Sequence, residues 1–185
     1  MRTTDWIQTY TGRRFYPFES NYEDVYIEDI AHALSLVCRF GGHCKHHYSV
    51  AQHSVLVSEH CKYRMHGLLH DAEEAYIADV CRPVKRSLRA LGITALDDAA
   101  SKIMMAVSRR FELEWSVEIK EDVKTADNVL LATEARDLML PMLDGGMWTS
   151  ADVFPTLDQK IVPVDPTTAE RMFLHRYREL TSASI

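Results

Sequence analysis

The stretch Met65-His66-Gly67-Leu68-Leu69-His70-Asp71-Ala72-Glu73-Glu74-Ala75-Tyr76 decides how this 185-residue chain is read. Leu68, Leu69, Ala72 and Tyr76 fall on one stripe at helical spacing, so a helix is expected from about Met65. Beside that stripe sit His70 and Asp71, and an ionised Asp is costly there unless it is paired or bound to a cation. Reading backwards, Ser49 stands where it can cap an earlier helix carrying Val50, His53, Val57 and His60. Cys61-Lys62-Tyr63-Arg64 then makes a tight connection. His53 is nine residues before Lys62 and His70 eight after it. At roughly 1.5 Å of rise per residue both sit roughly 12–14 Å from the turn, so a helical hairpin brings them level.

Reading forwards, Asp127 lies four residues after Val123 and three before Leu130, on the same apolar helix face. A carboxylate there needs a partner. Two imidazoles and two carboxylates form a mixed nitrogen and oxygen donor set. Such a set takes one borderline divalent transition metal: manganese, cobalt, zinc or iron.

The rest of the chain reads as further helices. One covers 29–37 and stops at Arg39-Phe40-Gly41-Gly42. Pro83 opens another and Gly92 ends it, two more span about 95–111 and 117–139, and Asp165 caps a last one to about Leu180. Residues 1–26 carry seven of the 17 aromatics and are interrupted by Gly12 and Pro17, which predicts an irregular aromatic-rich arm packed on the core or on another subunit. Residues 144–163, with two glycines, Trp148 and two prolines, read as an ordered loop or lid. The expected fold is all-α, with residues 1–185 forming a single domain.

Composition narrows the function classes. Hydrophobic residues make up 46% and charged residues 26%, as in a soluble globular protein, which argues against disorder or a fibrous repeat. A net charge of −6 argues against nucleic acid as a partner. No run approaches the roughly 18 apolar residues of a membrane span, and Met1–Tyr10 holds no apolar signal core, so a cytoplasmic location is expected. Cys38, Cys44, Cys61 and Cys81 lack CxxC spacing and read as free thiols. The donors of His43-Cys44-Lys45-His46-His47 have no partners at a convincing spacing, so no second metal is expected there. His32, His60, His66 and His175 read as structural.

Of the ordered set His53, His70-Asp71 and Asp127, the first members stand within two longer matching words, Tyr48-Ser49-Val50-Ala51-Gln52-His53-Ser54 and Leu68-Leu69-His70-Asp71-Ala72-Glu73-Glu74-Ala75. Over about residues 9–140 the chain resembles the HD-superfamily phosphohydrolases. Within them it is most similar to the deoxynucleotidase-like branch, and there to phage dATP triphosphohydrolases. The resemblance implies an HD-domain helical bundle with one metal per subunit on His53, His70, Asp71 and Asp127. It implies that Glu74 is a catalytic carboxylate that positions or deprotonates the attacking water, and that Asp79 protonates or orients the leaving oxygen. Arg39 and Lys85 match phosphate-binding positions, and His43 a position near the substrate phosphates. Phe40 stands where bacterial deoxynucleotidases place a Trp against the sugar, a space that a phenyl ring can fill.

Arg82, Lys85, Arg86 and Arg89 supply cations within eight residues, and Lys124 is a further phosphate candidate, whereas Glu73 is expected at the surface. The favoured reaction is dATP plus water to deoxyadenosine plus triphosphate, depleting the dATP pool. The alternatives are a 5′-deoxynucleotidase acting on dNMPs and, in another class, a catalytically silent HD module that binds nucleotide. The family likeness also implies a homo-oligomer, up to a hexamer, and the host cytoplasm if a phage encodes the chain.

Overall fold

The computed structural model describes residues 5–144 and 154–182. In chain order these form a two-stranded antiparallel hairpin, β1 (Ile7–Gln8) and β2 (Arg14–Phe15), and then helices. The helices are α1 (Ile27–Leu36), α2 (Val50–His60), α3 (Arg64–Leu69), α4 (Glu74–Ile77), α5 (Arg82–Ala90), α6 (Ala95–Arg110), α7 (Val117–Leu138) and α8 (Pro166–Ser182). The chain is mostly helical, as its periodicities predict. The hairpin lies in the segment expected to be irregular. Its turn uses Gly12 at φ 81, a left-handed conformation that glycine adopts without steric cost. Asp29 at the start of α1 accepts the Thr11 amide at 2.7 Å and the Thr11 hydroxyl at 2.9 Å, fastening the turn. Phe15 is fully buried and stacks on Tyr76 with ring centroids 3.8 Å apart, so this arm packs on its own chain.

Helix α2 is the central element and packs against α1, α3, α7 and α8. Ser49 caps it, its hydroxyl accepting the Gln52 amide at 3.1 Å. One core layer gathers Ile30, Leu34, Val50, Leu68, Ile103 and Phe173, and a second gathers Tyr48, Val57, Val123, Leu130 and Ile161. Gly67 sets the spacing of the α2–α3 hairpin. A methyl group there would lie 2.5 Å from Cys61 Sγ and 3.0 Å from Ser58 Cα, so only glycine lets the helices come this close. This approach brings His53 and His70 level.

The helix expected to continue from Met65 through Tyr76 is broken. After Leu69 the chain passes through turns before α4, with Ala72, Glu74, Ala75 and Tyr76 donating to carbonyls three residues back. The His70 ring donates from Nδ1 to the Gly67 carbonyl at 2.8 Å, the acceptor that a continuous helix would give to the Asp71 amide. The apolar stripe survives the break, since Leu68, Leu69, Ala72 and Tyr76 are all buried. His70-Asp71 therefore sits on a tightened turn instead of a regular helix.

Helices α5 to α8 begin and end within a residue or two of their predicted limits. Asp165 caps α8 by accepting the Thr168 amide at 3.0 Å. Of the expected loop at 144–163, residues 145–153 lie outside the described residues. Residues 154–163 contain no helix and are tied down: Arg136 donates to the Leu157 carbonyl at 2.7 Å and Gln52 to the Val162 carbonyl at 2.8 Å. Among the described residues, no helix is long and apolar enough to cross a membrane.

Candidate metal centre

Three elements bring the signature residues to one point. Helix α2 supplies His53, the turn after α3 supplies His70 and Asp71, and α7 supplies Asp127. His53 Nε2 lies 3.4 Å from Asp127 Oδ1 and 3.7 Å from Asp71 Oδ2, and His70 Nε2 lies 3.2 Å from Asp71 Oδ2. The two rings are 5.3 Å apart. One donor atom from each of His53, His70 and Asp127 falls within a 4.8 Å span, tight enough for a common ion.

The ring orientations carry more information than the distances. His53 Nδ1 meets Glu134 Oε1 at 2.6 Å, and His70 Nδ1 meets the Gly67 carbonyl at 2.8 Å. Both partners are acceptors, so Nδ1 carries the proton in each ring. That leaves both Nε2 atoms turned inward, buried and without a hydrogen bond despite the carboxylates beside them. Orphaned buried ring nitrogens are rare, and a pair facing two carboxylates is a donor set that could hold a cation.

A second group adjoins the first through Asp71. Asp71, Glu73 and Glu74 place one oxygen each within 4.8 Å, and the outer oxygens Oε2 of Glu73 and Glu74 are buried without a hydrogen bond. Glu73 is therefore not the surface residue that the sequence suggests. The tightened turn, unlike a straight helix, folds Glu73 in beside Asp71. Cations surround these acids. Arg39 Nη1 is 3.7 Å from Asp71, Lys85 is 3.5 Å from Glu74, Arg82 is 3.7 Å from Asp127 and Lys124 is 2.5 Å from Asp127.

Among curated proteins, Uncharacterized protein YfdR of Escherichia coli (strain K12) is 37% identical to this chain over 178 residues, 95% of each chain. The chain belongs to the YfdR family. An uncharacterized protein of Rhodobacter capsulatus is 36% identical over 146 residues, 72% of each chain. No family model matches the chain.

In this YfdR relative the electrostatics follow from acids packed together out of water. Burial pushes the Glu74 carboxyl up to about 10, aided by Asp71, Asp79 and Glu73. Burial, then Asp71, takes Glu73 up to about 7. Burial opposes charge on His70, yet the adjacent Asp71 wins and lifts the imidazole to about 9. Burial would likewise raise Asp71 and Asp127, but the imidazoles around them hold both well below the usual carboxylate range. The acids favour positive charge in their midst, and a proton on His70 Nε2 supplies it where a metal ion would.

The remaining expected residues divide. Arg39 is buried and faces Asp71, and Lys85 is half-buried beside Glu74. Asp79 follows Ala78, whose backbone at φ 66 and ψ 163 occupies a region normally left to glycine. Its carboxylate reaches the centre through its field on Glu74 rather than by contact. Phe40 sits half-buried in the short 3₁₀ turn Arg39–Gly42 with φ 58. Strained non-glycine backbone thus flanks the centre on two sides. His43 is exposed and belongs to neither donor group. Arg89 turns away and pairs with Asp97 at 2.6 and 2.8 Å, so the cation set is smaller on α5 than the sequence suggests.

Sequence reasoning missed Glu134. It is fully buried, accepts from His53 and from the Tyr48 hydroxyl (2.9 Å) on Oε1, and accepts from Arg39 Nε (3.1 Å) and Nη2 (3.0 Å) on Oε2. Burial opposes its charge, but Arg39 and His53 hold it below the ordinary glutamate value. A signal existed: Glu134 is seven residues after Asp127, two turns along the same face, among Leu130, Leu131 and Leu138.

Proposed function

We propose that this protein is an HD-type metal-dependent phosphohydrolase acting on deoxynucleotides, with dATP as the favoured substrate. The observation that carries the reading is the pair of inward-facing, unbonded Nε2 atoms of His53 and His70 between Asp71 and Asp127. These four residues would hold the ion. A divalent ion there would polarise a phosphate oxygen, lower the pKa of a bound water and draw neighbouring carboxylates back to their ionised form.

The chain's own residues supply the rest. Glu74, buried with Oε2 unbonded, accepts the proton of the attacking water as it closes on phosphorus. Lys85 beside Glu74 and Arg39 beside Asp71 offset the charge that builds on the phosphoryl oxygens. Asp79, whose field reaches Glu74, protonates or orients the leaving oxygen. Arg82 and Lys124 extend the cationic rim past Asp127, which supports a substrate with several phosphates. Phe40, next to Arg39, packs against the deoxyribose.

The test is a turnover screen of dNTPs, NTPs and dNMPs with manganese or cobalt, with products identified. Deoxyadenosine and inorganic triphosphate from dATP are expected. Phosphate released from dAMP alone would instead make the protein a 5′-deoxynucleotidase. Tight nucleotide binding without turnover in any divalent metal would make it a silent binding module.

A further inference from the structure

Glu134 touches neither the centre of the donor cluster nor solvent, yet its two oxygens divide between the cluster's two poles. Oε1 takes the proton of His53 Nδ1, which leaves His53 Nε2 as a lone pair facing Asp71 and Asp127. Oε2 takes the Nε and Nη2 edge of Arg39, which leaves Nη1 as the edge directed at Asp71. Tyr48 locks the carboxylate from a third side, and Tyr48, His53 and Glu134 are all inaccessible to solvent. The bonds tie α7 to α2, to Tyr48 just before it and to the Arg39 turn, so the carboxylate is held from three segments.

We infer that Glu134 is a positioning residue that sets the metal-facing tautomer of His53 and the anion-facing edge of Arg39 at the same time. The inference rests on the cation-site reading of His53. The chemistry requires a carboxylate in particular, because all four groups around Glu134 are donors. An amide of the same shape carries one acceptor and one donor end. In Glu134→Gln, an NH₂ turned towards Arg39 meets two N–H groups and displaces the guanidinium. Turned towards His53, it requires Nδ1 to accept, which moves the ring proton to Nε2 and into the metal position. The glutamine satisfies one pole but not both.

The test uses the full chain, metal-free, titrated with manganese alone and then, with manganese present, with inorganic phosphate. In folded Glu134→Gln, at least one of the two dissociation constants rises ~10- to ~100-fold. Tyr48→Phe, which removes one donor and leaves both poles bonded, changes each constant by less than about threefold. Both constants unchanged in folded Glu134→Gln would overturn the inference while leaving the metal site standing. A wild type that binds no manganese would overturn the metal-site reading and this inference with it. If Glu134→Gln does not fold, the wild type decides: imidazole ¹⁵N–¹H correlation spectra of the metal-free protein at pH 8 show His53 with its proton on Nδ1, and a proton on Nε2 alone would overturn the inference.

Discussion

Asp71 stands between two differently built neighbourhoods. On the His53 side the ring nitrogens that face away from the centre are already bonded, one to Glu134 and one to Gly67, so both rings are aimed with Nε2 inward. On the Glu74 side the Oε2 atoms of Glu73 and Glu74 are buried without hydrogen bonds, and both carboxyls are held above the usual carboxylate range by burial and then by Asp71. The first neighbourhood is preorganised and the second is poised. A ligand set must have its rings aimed before its ion arrives, the ion displacing the His70 Nε2 proton, whereas a group that takes a proton during turnover needs an environment in which its charge can change. Burial serves both, and the hydrogen bonds separate them.

Substitutions on each side should separate in the same way. The largest effect belongs to Asp71→Ala, which removes the carboxylate common to both neighbourhoods. Metal content measured after reconstitution and turnover of dATP should both fall to background, and retained metal would unseat Asp71 as a ligand. Next comes Glu74→Gln, expected to keep the metal and lose ~10²–10⁴ in rate. Undiminished turnover would assign the base elsewhere.

A stability measurement sharpens the contrast without a substitution. His70 keeps its proton in the fold up to about 9 against an ordinary 6.5, and Glu74 up to about 10 against 4.5. Between pH 6.5 and 9 the folded state therefore binds more protons than the unfolded state, so the metal-free protein loses stability as pH rises through that window. Asp71, Asp127 and Glu134 are held low, and their contribution is lost only in acid, as pH falls below their ordinary values. Melting temperatures of chelator-treated protein should fall steadily from pH 6.5 to 9, and a rise across that range would contradict the assignment. The smallest effect is expected from His43→Ala. Exposed and outside both donor groups, His43 should change kcat/KM less than about threefold, and a loss comparable to that of Glu74→Gln would bring its turn into the site.

Much of the scaffold was legible because its signals are local. Ser49 and Asp165 cap the helices that their positions announce, and the His53–His70 level match follows from counting residues about Lys62. The break after Leu69 was not legible, because the apolar stripe runs on through it; the cause is a side chain, His70, competing for the Gly67 carbonyl. Glu73 was misread for the same reason, since straight-helix geometry points it away from Asp71. Glu134 escaped notice because its partners come from segments 81 to 95 residues away, and its meaning exists only once α2 and α7 are packed together.

X-ray absorption on the cobalt-reconstituted full chain examines the convergence of these four side chains most directly. The account predicts one ion per chain whose coordination shell contains two imidazole nitrogens, with oxygen donors completing it. An absence of stoichiometric cobalt, or a shell without imidazole, would contradict it.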